Sequence, residues 1–432
     1  NYIKNLRIQF IKITKMNTDY EIRIGACGQV DSGKSTLLSI LTNPNNNKDI
    51  IDLDNGKGIA RHRIFKHQHE KESGRTSSIT YCYKQYENNG CTFVDLAGHE
   101  KYLSTTTIGI SGSSMDYIMI LMSANTGTVP RMTKEHISLA LAFKIPIIFV
   151  ITKIDMDVDL KKKELLIKIK KIMSSNSGYN KTMTDINNQE DVNDCIENMK
   201  LYNDKLCPIF QISNITGENI NLLQTFISKL KPKISWNNTT DIEPLFFIDE
   251  IFHISGIGIV IYGILKRGTI KKGDTLLLGP INGDYTHIVI KTIHNNNREH
   301  VNELKGGHTG CFWIKTTNSK IKLLRNQIKK GMVLIKDKQI TSEFKACVTI
   351  LHNPSTIRLR YQPVIHCGNI NQSAEVCEIL DDKTNTHKDF LRAGDRAIIK
   401  FKFLFHPEFI EDDAILVFRE GKTKGIGRII SN

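Results

Sequence analysis

The residues Gly28-Gln29-Val30-Asp31-Ser32-Gly33-Lys34-Ser35 follow an apolar run and precede the helical stretch Thr36-Leu37-Leu38-Ser39-Ile40-Leu41. They fit GxxxxGK[ST], a loop whose glycines let backbone amides curl round phosphate oxygens at a helix N-terminus, where N–H groups and the helix dipole favour an anion. In such a loop Lys34 adds a cation at the β and γ phosphates, Ser35 offers a hydroxyl to Mg²⁺, and Thr36 continues the cradle. Asp95-Leu96-Ala97-Gly98 comes about sixty residues later, a spacing that lets Asp95 hold Mg²⁺ through water and the Gly98 amide meet the γ-phosphate. In Thr152-Lys153-Ile154-Asp155 the carboxylate can accept hydrogen bonds from guanine N1 and N2 while the Lys153 stem covers the ring. Ser213-Asn214-Ile215 ends a further apolar run, where backbone groups can read the guanine carbonyl oxygen. Adenine lacks both features, so the four loops together predict GTP and GDP, with Mg²⁺, as ligands.

Each loop needs a rigid element behind it. Between Ile22 and Leu230 apolar runs of strand length alternate with helical segments, which predicts a doubly wound, mostly parallel α/β domain with its chemistry at strand ends. Candidate strands are Ile22 to Cys27, Cys91 to Val94, Tyr117 to Met122, Ile145 to Ile151 and Ile209 to Ile212. Leu165, Leu166, Ile169, Ile172 and Met173 predict a surface helix over 161–173 with its lysines in solvent. The polar, Asn-rich stretch 174–205 reads as an inserted surface loop with little regular structure. Beyond Lys231-Pro232-Lys233 short β-branched runs with Gly-containing turns predict two β-barrels. The division expected is an N-terminal extension over 1–19, itself incomplete, a nucleotide domain over 20–235, and barrels over 236–336 and 337–432.

The chain has 432 residues and a formal net charge of +14, which favours a polyanion such as RNA as partner. Heavy use of Asn, Ile and Lys throughout explains part of that charge by codon bias alone. Nine scattered cysteines without CxxC pairs argue for reduced thiols in the cytoplasm and against a structural zinc site. No apolar run approaches the roughly 18 to 20 residues of a membrane span, and no signal-peptide pattern is present, so neither a membrane nor DNA is an expected partner. His62, His67 and His69 have spacing that could suggest a metal, but among Arg61, Arg63 and Lys66 they read as solvated or RNA-facing.

Three further stretches, Asp54-Asn55-Gly56-Lys57-Gly58-Ile59-Ala60-Arg61, Glu72-Ser73-Gly74-Arg75-Thr76-Ser77-Ser78 and Asp95-Leu96-Ala97-Gly98-His99-Glu100-Lys101-Tyr102, resemble the GTP-binding protein 1 and 2 family of translational GTPases. The likeness runs from about Ile22 to Leu416-Val417-Phe418-Arg419-Glu420-Gly421. It implies an α/β P-loop GTPase domain followed by two β-barrel domains, similar to elongation factors 1-alpha and Tu. It also implies GTP hydrolysis with ribosome and aminoacyl-tRNA as partners. On the same resemblance Thr76 belongs to switch I, giving its hydroxyl to Mg²⁺ and its amide to the γ-phosphate. His99, after the Gly98 hinge of switch II, is the expected catalytic residue, positioning the attacking water.

Three positions depart from the elongation factors. They carry Asn where Thr152 stands, and its loss is expected to weaken the tie between base loop and phosphate loop. They carry an aliphatic residue where Arg75 stands, which opens the question of a hydrophobic gate with Val30. They also carry proline where Ala97 stands, a change the nearer family shares. The resemblance permits a second function, a GTP-regulated binding protein that recruits mRNA decay factors. The GTPase subunit of a sulfate-activating complex would share the architecture but not these switch sequences.

Overall fold

The computed structural model describes residues 20–43, 53–56, 60–64, 70, 76, 78–156, 158–174, 180–202, 205–233, 242–318, 323–351, 356–368, 370–420 and 422–430. Within them Glu21–Gly28 forms β1, Lys34–Thr42 α1, Thr80–Gln85 β2, Gly90–Asp95 β3, Leu103–Gly112 α2, Tyr117–Ser123 β4, Arg131–Ala142 α3 and Ile147–Thr152 β5. The α/β domain is completed by Asp159–Ser174 (α4), Thr182–Ile186 (β6), Gln189–Tyr202 (α5), Leu206–Gln211 (β7) and Ile220–Lys229 (α6). The sheet runs β2-β3-β1-β4-β5-β7-β6, parallel except for β2, which lies antiparallel to β3. All five strands expected from the apolar runs are present. Strands β1, β3, β4 and β5 are buried along their whole length, as a sheet covered on both faces requires. One face packs Leu37, Leu41 and Phe226, the other Ile137, Leu165 and Ile169.

The loop expected over 174–205 is a correction: it contains edge strand β6 and the helix α5. Val192, Cys195, Ile196 and Met199 recur at helical spacing and pack against the core, so a short apolar stripe outweighs the polar composition. Asn188 and Asp191 start this helix by bonding each other's backbone N–H at 3.0 and 3.2 Å.

On α3, His136 is fully buried, and neither ring nitrogen has a partner among the described residues. Burial pulls its pKa down to about 3, with Lys34 adding to the shift. The folded protein therefore keeps this ring neutral while the unfolded chain binds a proton below the ordinary histidine pKa. Stability must fall as pH drops through that window. We expect His136→Met to abolish about 2 kcal/mol of the parent's loss of unfolding free energy between pH 8 and pH 5, read by urea titration. Equal losses in both proteins would refute the assignment.

The first barrel closes through Leu245–Ile254, Gly258–Arg267, Thr309–Thr316, Asp284–Asn295, Thr275–Ile281 and Val333–Ile335. The second closes through Glu343–Ile350, Arg396–Phe403, Ile370–Asp381, Val364–Cys367, Ile415–Glu420 and Lys422–Ile430. Alternation is clear along Glu343–Ile350, where Phe344, Ala346, Val348 and Ile350 face inward. The barrels join through the Lys266–Glu411 ion pair at 2.6 Å and Phe247 against Phe409.

A dry polar cluster fixes the α/β domain to the first barrel. Arg23 on β1, 2% exposed, donates to Asp249 Oδ2 at 2.6 Å and to the Ser113 carbonyl at 2.9 Å. Tyr81 on β2 donates to the other Asp249 oxygen at 3.2 Å. Burial opposes the charge on Arg23, but Asp249 outweighs it and holds the guanidinium above its ordinary pKa. Helix α2 meets the second barrel, where Ser111 Oγ donates to the Gly368 carbonyl at 2.5 Å and Arg419 to Thr107 Oγ1 at 2.9 Å. No helix among the described residues is long and apolar enough to cross a membrane.

Candidate functional site

The loop between β1 and α1 is built to enclose an anion. Gly33, at φ 81°, occupies the left-handed region just before α1, and no side chain caps that helix. Asp31 also has positive φ, at 61°. Leu37 N–H bonds the Gly33 carbonyl at 2.9 Å and Ser32 N–H the Gln29 carbonyl at 3.3 Å, closing the turn. Lys34 lies back across it, donating to the Gly28 and Gln29 carbonyls at 3.0 and 2.9 Å. Burial lowers the Lys34 pKa, and Asp95 opposes that shift.

Three oxygen-bearing side chains from separate elements converge beside it. Ser35 Oγ donates to Asp95 Oδ2 at 2.7 Å, Thr76 Oγ1 donates to the same oxygen at 3.0 Å, and the two hydroxyls stand 2.9 Å apart. Asp95 Oδ1 is buried without a partner among the described residues. Burial raises the Asp95 pKa, with Lys34 opposing. Two hydroxyls and a carboxylate, all hard oxygen donors, fit Mg²⁺ with retained water.

Gly98 packs against the phosphate loop so closely that a Cβ there would lie 2.4 Å from the Gly28 carbonyl oxygen and 2.6 Å from Lys34 Nζ. His99 follows in extended conformation, its Nδ1 accepting from Lys101 N–H at 3.1 Å and its ring edge-on to Tyr102. A pocket is lined by Val30, Asp31, Gly33, Lys34, Ser35 and Thr36 on one side and by Arg61, Thr76, Gly98 and His99 on the other.

The loops after β5 and β7, expected to read the base, join the phosphate loop. Thr152 Oγ1 donates to the Ser32 carbonyl at 2.9 Å, so the tie expected to weaken with the loss of Asn is made by a hydroxyl instead. Asn214 adds a second tie, donating to the Gly33 carbonyl at 3.4 Å. Lys153 has φ 61°, a strained turn that aims its side chain off the strand end. Ser213 Oγ donates to Asp155 Oδ1 at 2.6 Å and accepts from the Ile215 and Thr216 N–H groups at 3.1 and 3.0 Å, which locks the two loops together.

Arg61 is a site residue that the sequence did not single out. Its neighbours His62 and Arg63 are exposed, as expected for His62, whereas Arg61 is half-buried and lines the phosphate pocket. Asp54 was also missed as a structural element of the site. Its carboxylate accepts from Ala60 N–H at 3.0 Å and its own N–H bonds the Asn214 carbonyl at 3.1 Å. The available signal was the family-specific stretch that contains both. Lys66, His67, His69 and Arg75, and with Arg75 the question of the gate, lie outside the described residues.

Residues 20–233 match the elongation factor Tu GTP-binding domain. GTP-binding protein 1 of Xenopus laevis is 40% identical over 442 residues, covering 96% of this chain and 64% of that protein. GTP-binding protein 2 of Homo sapiens is 33% identical over 440 residues, covering 95% of this chain and 69% of that protein. The fold is similar to translation elongation factor SelB from Methanococcus maripaludis in complex with the GTP analogue GppNHp, with TM-score 0.70, 21% identity and coverage of 95% and 79% of the two chains. It is also similar to the GTP-bound GTPase-like domain of S. cerevisiae Ski7, with TM-score 0.69, 13% identity and coverage of 96% and 98%. With its α/β domain, two barrels and four nucleotide loops in sequence, this chain belongs to the GTP-binding protein 1 and 2 family of elongation-factor-Tu-like translational GTPases.

Proposed function

We propose that this chain binds Mg²⁺-GTP in the phosphate pocket and hydrolyses it to GDP, stimulated by the ribosome with aminoacyl-tRNA bound. The observation that carries the reading is the meeting of Ser35, Thr76 and Asp95 within 3.0 Å beside buried Lys34. Ser35 and Thr76 would hold the ion by their hydroxyls and Asp95 through water. When bound, Mg²⁺ would offset the negative charge that builds on the phosphates as the bond breaks. Residues 28–36 and Gly98 cradle the phosphates, Asp155 and Lys153 select guanine, and Ser213, Asn214 and Ile215 support that selection. Asp155 keeps free carboxylate lone pairs for a bidentate contact because Ser213 engages one oxygen from behind. The domain division at 235/236 falls outside the described residues, and that at 336/337 directly follows strand Val333–Ile335.

His99 acts on the attacking water. Since Nδ1 accepts from Lys101 N–H, the neutral ring carries its proton on Nε2 and orients water as a donor. The basic net charge of +14 supports RNA partners. The test is steady-state GTP hydrolysis with 80S ribosomes and aminoacyl-tRNA, parent against His99→Ala. Stimulated turnover should fall about a hundredfold or more in the variant while GTP affinity stays within a few-fold. Absence of stimulation in the parent, with GTP bound, would favour the GTP-regulated partner of mRNA decay factors instead.

A further inference from the structure

We propose that Arg61 is a catalytic residue: a cation supplied in cis that contacts the γ-phosphate and stabilises the charge developing on it during hydrolysis. The assignment rests on the proposed function of the pocket, and goes beyond it in naming a cation additional to Lys34 of the phosphate loop. Arg61 lines that pocket together with Lys34, Ser35, Thr76, Gly98 and His99. Its Nε is buried with no hydrogen-bond partner among the described residues. A guanidinium donor held away from water, beside a pocket built for phosphate, lacks an anionic acceptor that the nucleotide would bring.

The backbone explains why this arginine points inward while His62 and Arg63 are exposed. Residues Ala60–Arg63 form a short 3₁₀ turn packed on α1. Ser39 Oγ on α1 donates to the Ala60 carbonyl at 2.5 Å, Asp54 accepts from Ala60 N–H at 3.0 Å, and Ile64 closes the turn on the Arg61 carbonyl at 3.2 Å with its side chain in the core. The turn is thereby fastened to the helix that begins with Lys34 and Ser35. Arg61 is held by contacts to the helix that directly follows the phosphate loop.

In the step itself the water oxygen bonds to the γ-phosphorus as the bond from that phosphorus to the bridging oxygen breaks. GDP and inorganic phosphate form, with the water's proton passing to phosphate. Negative charge shifts towards the bridging and equatorial oxygens, and a planar guanidinium with paired donors meets it better than a point charge. Arg61 should therefore contribute more to the transition state than to the bound ground state.

The experiment compares parent, Arg61→Ala and Arg61→Lys without ribosomes, using single-turnover GTP hydrolysis, GDP affinity, and binding of GDP with aluminium fluoride as a mimic of the transferring phosphoryl group. We expect Arg61→Ala to lose at least about a hundredfold in rate and in fluoride-stabilised GDP binding. Affinity for GDP alone should change less than about threefold, and Arg61→Lys should recover part of both losses. Retention of rate and fluoride-stabilised binding by Arg61→Ala would overturn the assignment, as would parallel weakening of GTP and GDP binding at an unchanged rate. A parent that binds neither nucleotide would overturn the proposed function and this assignment with it.

Discussion

Lys34→Ala is expected to weaken Mg²⁺-GTP binding by roughly a hundredfold, about 3 kcal/mol, while leaving the protein folded. The unfolding midpoint without nucleotide should stay the same or rise. The opposite signs follow from one observation: Lys34 is buried, its ammonium donates to the Gly28 and Gln29 carbonyls with Asp95 nearby, and burial lowers its pKa. A cation that costs the empty protein desolvation energy is retained because phosphate oxygens replace the lost water. Titration with a fluorescent GTP analogue, paired with thermal melting, separates the two effects. Affinity within threefold of the parent would remove Lys34 from the site.

Asp249→Ala should destabilise the chain by about 3–5 kcal/mol, because it strands the Arg23 guanidinium in a dry interface. The remaining partners, the Ser113 carbonyl and Thr309 Oγ1, carry no charge to offset it. The loss should appear as separate melting of the α/β domain and the barrels where the parent melts as one unit. An Arg23→Met, Asp249→Leu double variant should recover much of the loss, since replacing both partners removes the stranded charge. Single-variant unfolding indistinguishable from the parent in urea would show that the pair contributes nothing.

The α/β strands were legible because four of the five expected ones are mostly apolar and buried along their length, and β1, β3, β5 and β7 each lead into a loop with recognisable chemistry. Strand β2, TYCYKQ, and strand β6, TMTDI, were not, since partly buried edge strands carry mixed polarity and no motif. Helix α5 hid within polar composition because, among its described side chains, Val192, Cys195, Ile196 and Met199 alone pack on the core. In the site, glycines, Lys34, Ser35 and Asp95 could be placed from spacing alone. Thr76 could be placed only by resemblance, since a threonine among serines has no local signature. Arg61 was not singled out because sequence cannot show which way a side chain leaves a 3₁₀ turn. That Thr152 makes a tie of its own could not be read from its residue type, because only the distance shows its hydroxyl reaching the Ser32 carbonyl at 2.9 Å.

The two seams between the α/β domain and the barrels are built from unlike materials. One is the buried Arg23–Asp249 cluster, with Tyr81 closing it; at the other, among the described residues, Ser111 on α2 donates to the Gly368 carbonyl and Thr107 accepts from Arg419. The barrels are themselves joined by Lys266–Glu411 and Phe247–Phe409. The α2 seam, whose hydrogen bonds each have an uncharged partner, should therefore give way before the Arg23–Asp249 pair, whose separation would strand a buried charge.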